Sequence, residues 1–293
     1  MRKDRLDGFG ALVLLGVTLM LAASQIMVKE VNSGVQPVFA AGVRSAIAAV
    51  CVTLWLVWRQ RPPRIKPANI APGLLIGVVF AAEFICLFTA LDLTTVGRAS
   101  VIFYSMPVWF ALMAHVGLPG QRIGGVQAVG LAVAFAGTAW AILGGASSQG
   151  PGSLLGDLCA LGGALGWAAT AFLARASNLR HEGPEVQLWW MVLVSAAVLL
   201  AVAPAFGPLL RDVQPLHWGL LAFQGSAIAA GTFITWLWLL SVYPMATVAS
   251  FSFLTPILSI ALGHVIFGEP VTLTLAGSAA LVAAGIVLIN QRR

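Results

Sequence analysis

The sequence predicts an all-α integral membrane protein with ten transmembrane helices, arranged as two inverted five-helix repeats around a central cavity. Three observations predict this fold: the composition, the spacing of the apolar segments and an internal similarity. Of the 293 residues, 59% are hydrophobic and only 9% are charged, whereas soluble domains carry roughly 25% charged residues. So few charged side chains cannot cover a water-facing surface, and lipid therefore has to be the surrounding solvent.

The apolar residues fall into ten segments, each close to the roughly 20 residues that cross a bilayer as a helix. The segments cover residues 8–30, 37–58, 71–91, 98–117, 123–143, 154–176, 185–206, 216–241, 245–266 and 272–290. Glycine, proline and charged residues separate them, and no intervening loop is long enough for a soluble domain. The first segment follows basic residues as a signal peptide would, but it is longer than a signal-peptide core, so we expect it to be the first helix.

The basic residues predict the orientation of the chain. With the N-terminus inside, twelve of them face the inside: Arg2, Lys3, Arg5, Arg59, Arg61, Arg64, Lys66, Arg122, Arg175, Arg180, Arg292 and Arg293. Only Lys29, Arg98 and Arg211 face the outside. Because loops rich in Lys and Arg stay in the cytoplasm, we expect a multi-pass protein of a bacterial-type inner membrane with both termini cytoplasmic. The net charge of +6 then reflects topology, and no nucleic-acid partner is expected.

An internal similarity divides the chain. Residues 90–115 align with 239–264 at an offset of 149, and the earlier helices align at offsets of 146–147. The matched pairs include Pro107 with Pro256, His115 with His264, and Ser24 with Thr170. Ordered matches of proline, histidine and polar residues in successive helices indicate a duplication rather than a chance similarity of apolar sequence.

The alignment predicts a first repeat over residues 1–143, a linker over 144–153 and a second repeat over 154–293. Because five is an odd number, the second repeat enters the membrane from the opposite side. Inverted repeats of this kind are typical of transporters, whose substrate site lies near the midplane between the repeats.

Glu83 is the only acidic residue well inside a predicted span. A carboxylate in hydrocarbon is costly and normally faces a cavity or a partner, so we expect Glu83 to bind the ammonium group of a substrate or to carry a proton. The alternative is a salt bridge to Arg44 in the second span, or another role in packing. Phe80, Phe84 and Phe88 repeat every four residues beside Glu83, and we interpret this stripe as packing or lipid contact rather than a substrate cage.

Five further residues complete the predicted substrate-binding site. Tyr104 and Trp167 lie close to mid-span and offer an aromatic face together with a hydrogen bond. Ser24, Gln25 and Thr170 are polar residues within the first helices of the two repeats. The alternative for the hydroxyls is a bond to the backbone of their own helix.

The paired prolines and histidines suggest moving parts. Pro107 and Pro256 lie mid-span at equivalent positions, where proline removes a backbone hydrogen bond and bends a helix. We predict a pair of matched hinges, with static kinks as the alternative. His115 and His264 lie towards helix ends, and together with Glu83 they are the candidates for proton coupling.

No enzyme motif is present in the sequence: there is no H-E-x-x-H, no P-loop and no G-x-S-x-G. Cys51, Cys86 and Cys159 lack the spacing of metal ligands. The sequence therefore predicts no catalytic residue, no metal and no cofactor, and we expect a protein that is not an enzyme.

Motifs in both halves resemble the drug/metabolite transporter superfamily, specifically its EamA-type proteins with two five-helix repeats. In the second half the resemblance rests on Pro256-Ile-Leu-Ser-Ile-Ala-Leu-Gly263 and on Phe267-Gly-Glu-Pro-Val-Thr272, followed by Gly277 and Gly285. In the first half it rests on Pro37 to Arg44 and on Ala90-Leu91 through Pro107. The sequence is most similar to aromatic amino acid exporters of the YddG type.

The resemblance implies a secondary transporter that exports small organic metabolites, namely amino acids with aromatic or other hydrophobic side chains, by alternating access through a central cavity between the repeats. Its partners would be a small-molecule solute and membrane lipid, and we expect a monomer. The sequence departs from a full repeat where Gly120 stands in the place of a partner for Glu269, and where Met191 stands opposite Arg44. We expect Glu269 to cap the tenth helix rather than to touch substrate. The alternative functions are an intramembrane enzyme or lipid-handling protein, and a non-transporting membrane scaffold.

Overall fold

The structure is a computed structural model that describes residues 7–60, 63, 65–119, 122–146, 153–243 and 254–290. Several residues named above lie outside this part of the chain: Arg2, Lys3, Arg5, Arg61, Arg64, Gly120, Arg292 and Arg293.

The described chain is helical. The helices are α1 (Gly8–Gly34), α2 (Pro37–Trp58), α3 (Pro67–Leu93), α4a (Val96–Phe103), α4b (Met106–Gly117), α5 (Gly125–Ala146), α6 (Leu154–Ala176), α7 (Pro184–Val202), α8a (Pro215–Phe223), α8b (Phe233–Val242), α9 (Leu254–Phe267) and α10 (Leu273–Asn290). A π-helical segment, Gln224–Thr232, joins α8a to α8b, and short 3₁₀ helices follow α6 and α7. Eight segments are long and apolar enough to cross a membrane, and α9 and α10 are shorter apolar helices. The predicted all-α fold with ten spans is confirmed.

Four helices have proline as their first residue: Pro37 in α2, Pro67 in α3, Pro184 in α7 and Pro215 in α8a. The first amide groups of a helix have no intrahelical acceptor, so proline loses no hydrogen bond there, and its fixed φ suits the helix. These prolines therefore fix where the chain re-enters the membrane.

The first helices of the two halves begin with the same capping contact. The Asp7 carboxylate accepts a hydrogen bond from the Gly10 amide at 2.8 Å, and the Ser153 hydroxyl oxygen accepts one from the Gly156 amide at 3.0 Å. Side-chain oxygens at the N-cap satisfy amides that the helix leaves free. Asp7 and Ser153 are 146 positions apart (153 minus 7).

The fourth span is two helices rather than the single one predicted. α4a ends at Phe103, and α4b begins after Tyr104 and Ser105. The reason is Pro107, which has no amide hydrogen to donate to the carbonyl of Phe103 four residues earlier. Pro107 therefore lies in the first turn of α4b. Its partner Pro256 is buried in the first turn of α9.

Glycine allows α3 to lie close to its neighbours. A Cβ added at Gly166 of α6 would lie 2.8 Å from the Cβ of Glu83, which is closer than two carbons can pack. Gly73 lies against Trp190 of α7 in the same way. Small residues permit this close approach of helices in a membrane, and the contact between α6 and α3 places the two halves side by side.

We call the end of the bundle where α1 begins the proximal end, and the end where α1 ends the distal end. Successive loops alternate between the two ends. At the distal end the Gln36 amide donates to the Leu209 carbonyl at 3.0 Å, and the Ser153 amide donates to the Leu93 carbonyl. At the proximal end the Tyr243 hydroxyl contacts Asp7 at 2.7 Å.

Candidate functional site

Glu83 lies inside the bundle, with 3% of its surface exposed. α3 ends ten residues later, at Leu93, which is about 15 Å along the helix axis. The Thr170 hydroxyl of α6 lies 3.5 Å from one Glu83 carboxylate oxygen, but it lies only 2.9 Å from the Gly166 carbonyl. A hydroxyl has one hydrogen to donate, and the shorter contact goes to the backbone of its own helix. Glu83 therefore keeps most of its capacity to accept hydrogen bonds.

Arg44 of α2 stacks on the phenylalanine stripe of α3. Its guanidinium carbon lies 4.7 Å from the ring centroid of Phe84 and 6.0 Å from that of Phe88, both within the range of a cation–π contact. Phe80, Phe84 and Phe88 are at most 9% exposed. The stripe therefore packs inside the protein rather than against lipid.

Arg44 and Glu83 interact electrostatically but do not form a salt bridge. Among the described residues, the ion pairs with a nitrogen–oxygen distance of 4.0 Å or less do not include this one. The Nε atom of Arg44 is also buried without a hydrogen-bond partner. The salt bridge considered as the structural alternative for Glu83 is thus not formed.

Tyr104 and Trp167 belong to one aromatic cluster at the break between α4a and α4b. Their ring centroids are 5.8 Å apart in an edge-to-face arrangement. Phe103 stacks on Trp167 with centroids 5.0 Å apart. On α6, Trp167 precedes Thr170 by three residues, so both side chains lie on the same face of the helix. α6 therefore links the aromatic cluster to Glu83.

Gln25 of α1 connects this cluster to two more helices. Its side-chain oxygen accepts a short hydrogen bond from the Ser100 hydroxyl of α4a. The Tyr104 hydroxyl lies beside both Gln25 and Thr255 of α9, although the buried Thr255 hydroxyl makes no hydrogen bond of good geometry. Ser100 and Thr255 were not among the site residues predicted from the sequence. The one feature that could have indicated them is a hydroxyl group within an apolar span.

The Glu83–Thr170 contact and the contacts among Trp167, Tyr104 and Gln25 meet at one face of α6, and we call these five residues the central cluster. Pro107 and Pro256 adjoin it, since each lies within three residues of a cluster contact on its own helix.

Three predicted residues lie apart from these contacts. Ser24 is buried, with 8% exposed, but it points about 100° away from Gln25 around α1. His115 is exposed at the proximal end, where its Nδ1 accepts a hydrogen bond from the Ile123 amide at 3.2 Å. His264 is exposed at the distal end, with its Nδ1 2.9 Å from the Glu269 carbonyl oxygen. The two histidines therefore lie at opposite ends of the bundle rather than beside Glu83.

At the distal end, Glu269 joins three segments of the chain. Its carboxylate accepts hydrogen bonds from the Lys29 ammonium at 3.0 Å, the Val96 amide at 2.8 Å and the Gly97 amide at 3.2 Å. Glu269 therefore caps α4a, and the expectation that it caps the tenth helix is wrong. The physical reason is that the amides at the start of α4a carry the positive end of the helix dipole, which favours a carboxylate.

The end of α9 aims Glu269 at this position. Gly268 adopts a φ of 65°, a left-handed conformation that glycine tolerates best. Its amide donates to the His264 carbonyl at 3.0 Å, and the Glu269 amide donates to the Gly263 carbonyl at 3.3 Å. The bond from Gly268 to His264, with Gly268 in the left-handed conformation, is a common way for a helix to end at glycine.

Two more ion pairs close the distal end. Arg98 donates to the Asp157 carboxylate through Nε at 3.1 Å and also through Nη2, and Asp157 is fully buried. Arg211 donates to both carboxylate oxygens of Asp92, at 2.8 and 3.0 Å. Hydrogen bonding to Asp92 raises the pKa of the Arg211 guanidinium.

The proximal end has a weaker link between α3 and the loop after α6. Lys66 and Asn69 each donate to the Glu182 carboxylate at 2.7 Å. The hydrogen bond from Lys66 lowers the pKa of Glu182. The Lys66 side chain is 58% exposed, so water screens this pair far more than the distal pairs.

The described residues contain no group of three or more His, Cys, Asp or Glu side chains that could hold a metal ion. Cys51, Cys86 and Cys159 are free thiols.

The sequence profile of the EamA-like transporter family matches this chain twice, over residues 8–143 and over residues 154–291. The chain belongs to the EamA-like transporter family. It is therefore a multi-pass membrane transporter, and the resemblance stated from the sequence motifs is confirmed at the level of the family.

Several relatives of this transporter are similar over nearly the whole length of this chain. The uncharacterized transporter sll0355 of Synechocystis is 29% identical, over 96% of this chain and 89% of the relative. The uncharacterized transporter YvbV of Bacillus subtilis is 26% identical, over 96% and 92%. A WAT1-related chloroplastic protein of Arabidopsis thaliana, At3g02690, is 25% identical, over 95% and 68%. One solved crystal structure shares the fold, with a TM-score of 0.67 and 20% identity over 96% of both chains.

Proposed function

We propose that this member of the EamA-like family is a secondary transporter that exports small organic metabolites, specifically amino acids with aromatic or other hydrophobic side chains, by alternating access. The observation that carries the proposal is the central cluster, in which one face of α6 contacts both a buried carboxylate with free acceptor capacity, through Thr170, and the ring of Tyr104, through Trp167.

The chemistry of the central cluster matches such a solute. An isolated buried carboxylate is costly unless a cation approaches it, and the ammonium group of an amino acid is a suitable cation for Glu83. The rings of Trp167 and Tyr104 offer apolar faces to a hydrophobic side chain, and their polar atoms can orient it. Gln25 and Thr170 supply further hydrogen-bonding groups.

We assign the first repeat to residues 1–143, the linker to 144–153 and the second, inverted repeat to 154–293. The equivalent caps at Asp7 and Ser153 and the double match to the family profile support this division. The central cluster takes residues from both repeats, as expected for a transporter site near the midplane.

Alternating access requires that each end of the bundle can open. Glu269, Arg98 and Arg211 close the distal end, and the Lys66–Glu182 pair links segments at the proximal end. The break before Pro107, together with Pro256 on α9, supplies hinges beside the solute, since hinge residues at element ends absorb changes in φ and ψ.

The orientation follows from the basic residues. We place the chain in a bacterial-type inner membrane with both termini cytoplasmic, so that the proximal end faces the cytoplasm and the distal end faces outward. The protein would act as a monomer, with one cluster per chain.

Counterflow in proteoliposomes tests the proposal. Vesicles loaded with unlabelled solute are diluted into labelled Trp, Phe, Thr or a sugar, and uptake is compared with that of empty liposomes. The proposal predicts transient accumulation of Trp and Phe that exceeds that of the sugar. Absence of flux above empty liposomes for all three amino acids would overturn it.

A further inference from the structure

The charges beside the central cluster form an ion pair that is split. Glu83 on α3 is buried and Arg44 on α2 is half-buried. The two attract each other, yet no contact of 4.0 Å or less joins them among the described residues. Glu83 has only the long contact with Thr170, at 3.5 Å.

A split pair of this kind is an expensive arrangement if it serves only the fold. Buried charges normally approach each other closely and satisfy their remaining hydrogen bonds, because the low dielectric penalises each unpaired group. Here the Nε atom of Arg44 has no partner at all. The arrangement leaves unused donors on one side and unused acceptors on the other.

The surroundings of Arg44 hold its guanidinium without using its donors. Phe84 and Phe88 contact the guanidinium through their rings, and a ring offers it no hydrogen-bond acceptor comparable with a carboxylate oxygen. The planar guanidinium has five N–H groups in a fork that matches the two oxygens of a carboxylate. Arg44 is therefore preorganised to bind a carboxylate.

We propose that the solute bridges the split pair as a zwitterion, with its carboxylate on Arg44 and its ammonium on Glu83. The inference rests on the proposed function and extends it, because it makes Arg44 a specificity-determining residue and limits the substrates to compounds that carry both groups. The side chain of the solute then extends towards Trp167, which lies one turn along α6 from Thr170, and towards Tyr104, whose ring contacts Trp167.

The proposal predicts that compounds with only one of the two groups bind poorly. An amine would leave Arg44 uncompensated, and a carboxylic acid would leave Glu83 uncompensated. Sites built around buried polar groups reject analogues that lack the matching group by roughly 10⁴-fold or more. We expect at least a 100-fold difference here.

Competition in the counterflow assay tests the proposal. Labelled phenylalanine is the reporter, and unlabelled phenylalanine, phenethylamine and 3-phenylpropionate are the inhibitors. The expected result is inhibition by phenylalanine with at least 100-fold lower potency of the other two. Equal inhibition by phenethylamine would overturn the zwitterion proposal while leaving amino acid transport intact, whereas absence of any amino acid counterflow would overturn the proposed function as well.

Variants of the pair separate a substrate role from a structural one. Arg44→Gln should lose phenylalanine counterflow at least 30-fold, and Arg44→Lys should recover part of it because it restores the charge without the fork. The double variant Arg44→Gln, Glu83→Gln contains no uncompensated charge, so it should fold but not transport. Wild-type counterflow by the double variant would show that the pair is structural. Arg59→Gln, an exposed arginine at the end of α2, is the matched control and should behave as the wild type.

Even if a single variant does not fold, the competition series on the wild-type protein still decides the question.

Discussion

Glu269 provides a quantitative test of how the distal end is closed. The substitution Glu269→Gln keeps the size of the side chain and one oxygen acceptor but removes the charge. In the structure this carboxylate receives hydrogen bonds from Lys29, Val96 and Gly97, and it is only 7% exposed. In the wild type the negative charge of the carboxylate strengthens all three hydrogen bonds. The neutral amide of glutamine provides no such charge.

The magnitude follows from these contacts. A hydrogen bond to a charged group contributes about 1.5–3 kcal/mol and a neutral one about 0.5–1.5 kcal/mol. The bond from Lys29 keeps the charge of its ammonium group, so the loss falls on the two amide bonds, at about 1–1.5 kcal/mol each, and closure weakens by about 2–3 kcal/mol. Because 1.4 kcal/mol corresponds to a tenfold change, the open population should rise roughly 30- to 140-fold.

Amide hydrogen exchange measures this opening directly. The Val96 and Gly97 amides donate to Glu269, so their exchange reports whether the contact is formed. In lipid nanodiscs, mass spectrometry of a peptide at the start of α4a should show at least tenfold faster exchange in Glu269→Gln. Glu182→Gln, at the opposite end, is the control and should change this peptide less than threefold. Equal exchange in the wild type and Glu269→Gln would refute the role of Glu269 as the distal closure.

Other substitutions test the packing and the chemistry of the cluster. Gly166→Ala should lower stability by about 1–3 kcal/mol, because the new Cβ would lie 2.9 Å from the Glu83 Cα. Thermal melting followed by size-exclusion chromatography measures this loss. The control Gly16→Ala, whose new Cβ has nothing within 4 Å, should leave the melting temperature unchanged or raise it, and equal melting temperatures for the two variants would contradict the close packing. Glu83→Gln should weaken phenylalanine counterflow about 30-fold or more, because the ammonium group of the solute loses its carboxylate partner, and an unchanged rate would place Glu83 outside the site. Tyr104→Phe should weaken solute counterflow about 3- to 10-fold through loss of one hydrogen bond, and an unchanged rate would place the hydroxyl outside the site. The hydrogen bond from Lys66 lowers the pKa of Glu182 below its ordinary value, so the stabilisation from this pair should be complete at neutral pH and fall only as the pH drops through the lowered pKa. Faster amide exchange in the loop after α6, relative to the intrinsic rate, at neutral pH than in mild acid would contradict that sign.

The number and position of the helices follow from the composition and from the spacing of the apolar runs, so the sequence predicts them. Apolar runs of membrane-spanning length need no tertiary information, because each helix satisfies its own backbone hydrogen bonds. The break in the fourth span was harder to predict, although its cause, Pro107, is visible in the sequence. A proline within an apolar run is compatible with a kink or with two helices, and only the neighbouring residues decide between them.

The candidate site was predicted in part for a similar reason. A carboxylate or an aromatic hydroxyl within an apolar run can be recognised from the sequence as a candidate site residue, as Glu83 and Tyr104 were. Contacts across helices do not, because they depend on how each helix is rotated. The partner of Gln25, Ser100, is one example. The capping of α4a by Glu269 from a loop 172 positions away (269 minus 97) is another.

Direct binding of an amino acid tests the central claim, that the solute lies at the cluster shared by the two halves. Binding of tritiated phenylalanine to purified protein can be measured by scintillation proximity for Trp167→Ala and for Trp140→Ala. Trp140 lies on α5 against Gly277 of α10 and is 44% exposed, so it is a tryptophan of the same size outside the cluster. The account predicts that Trp167→Ala weakens binding at least tenfold while Trp140→Ala stays within threefold of the wild type. Equal affinities for the two variants would contradict it.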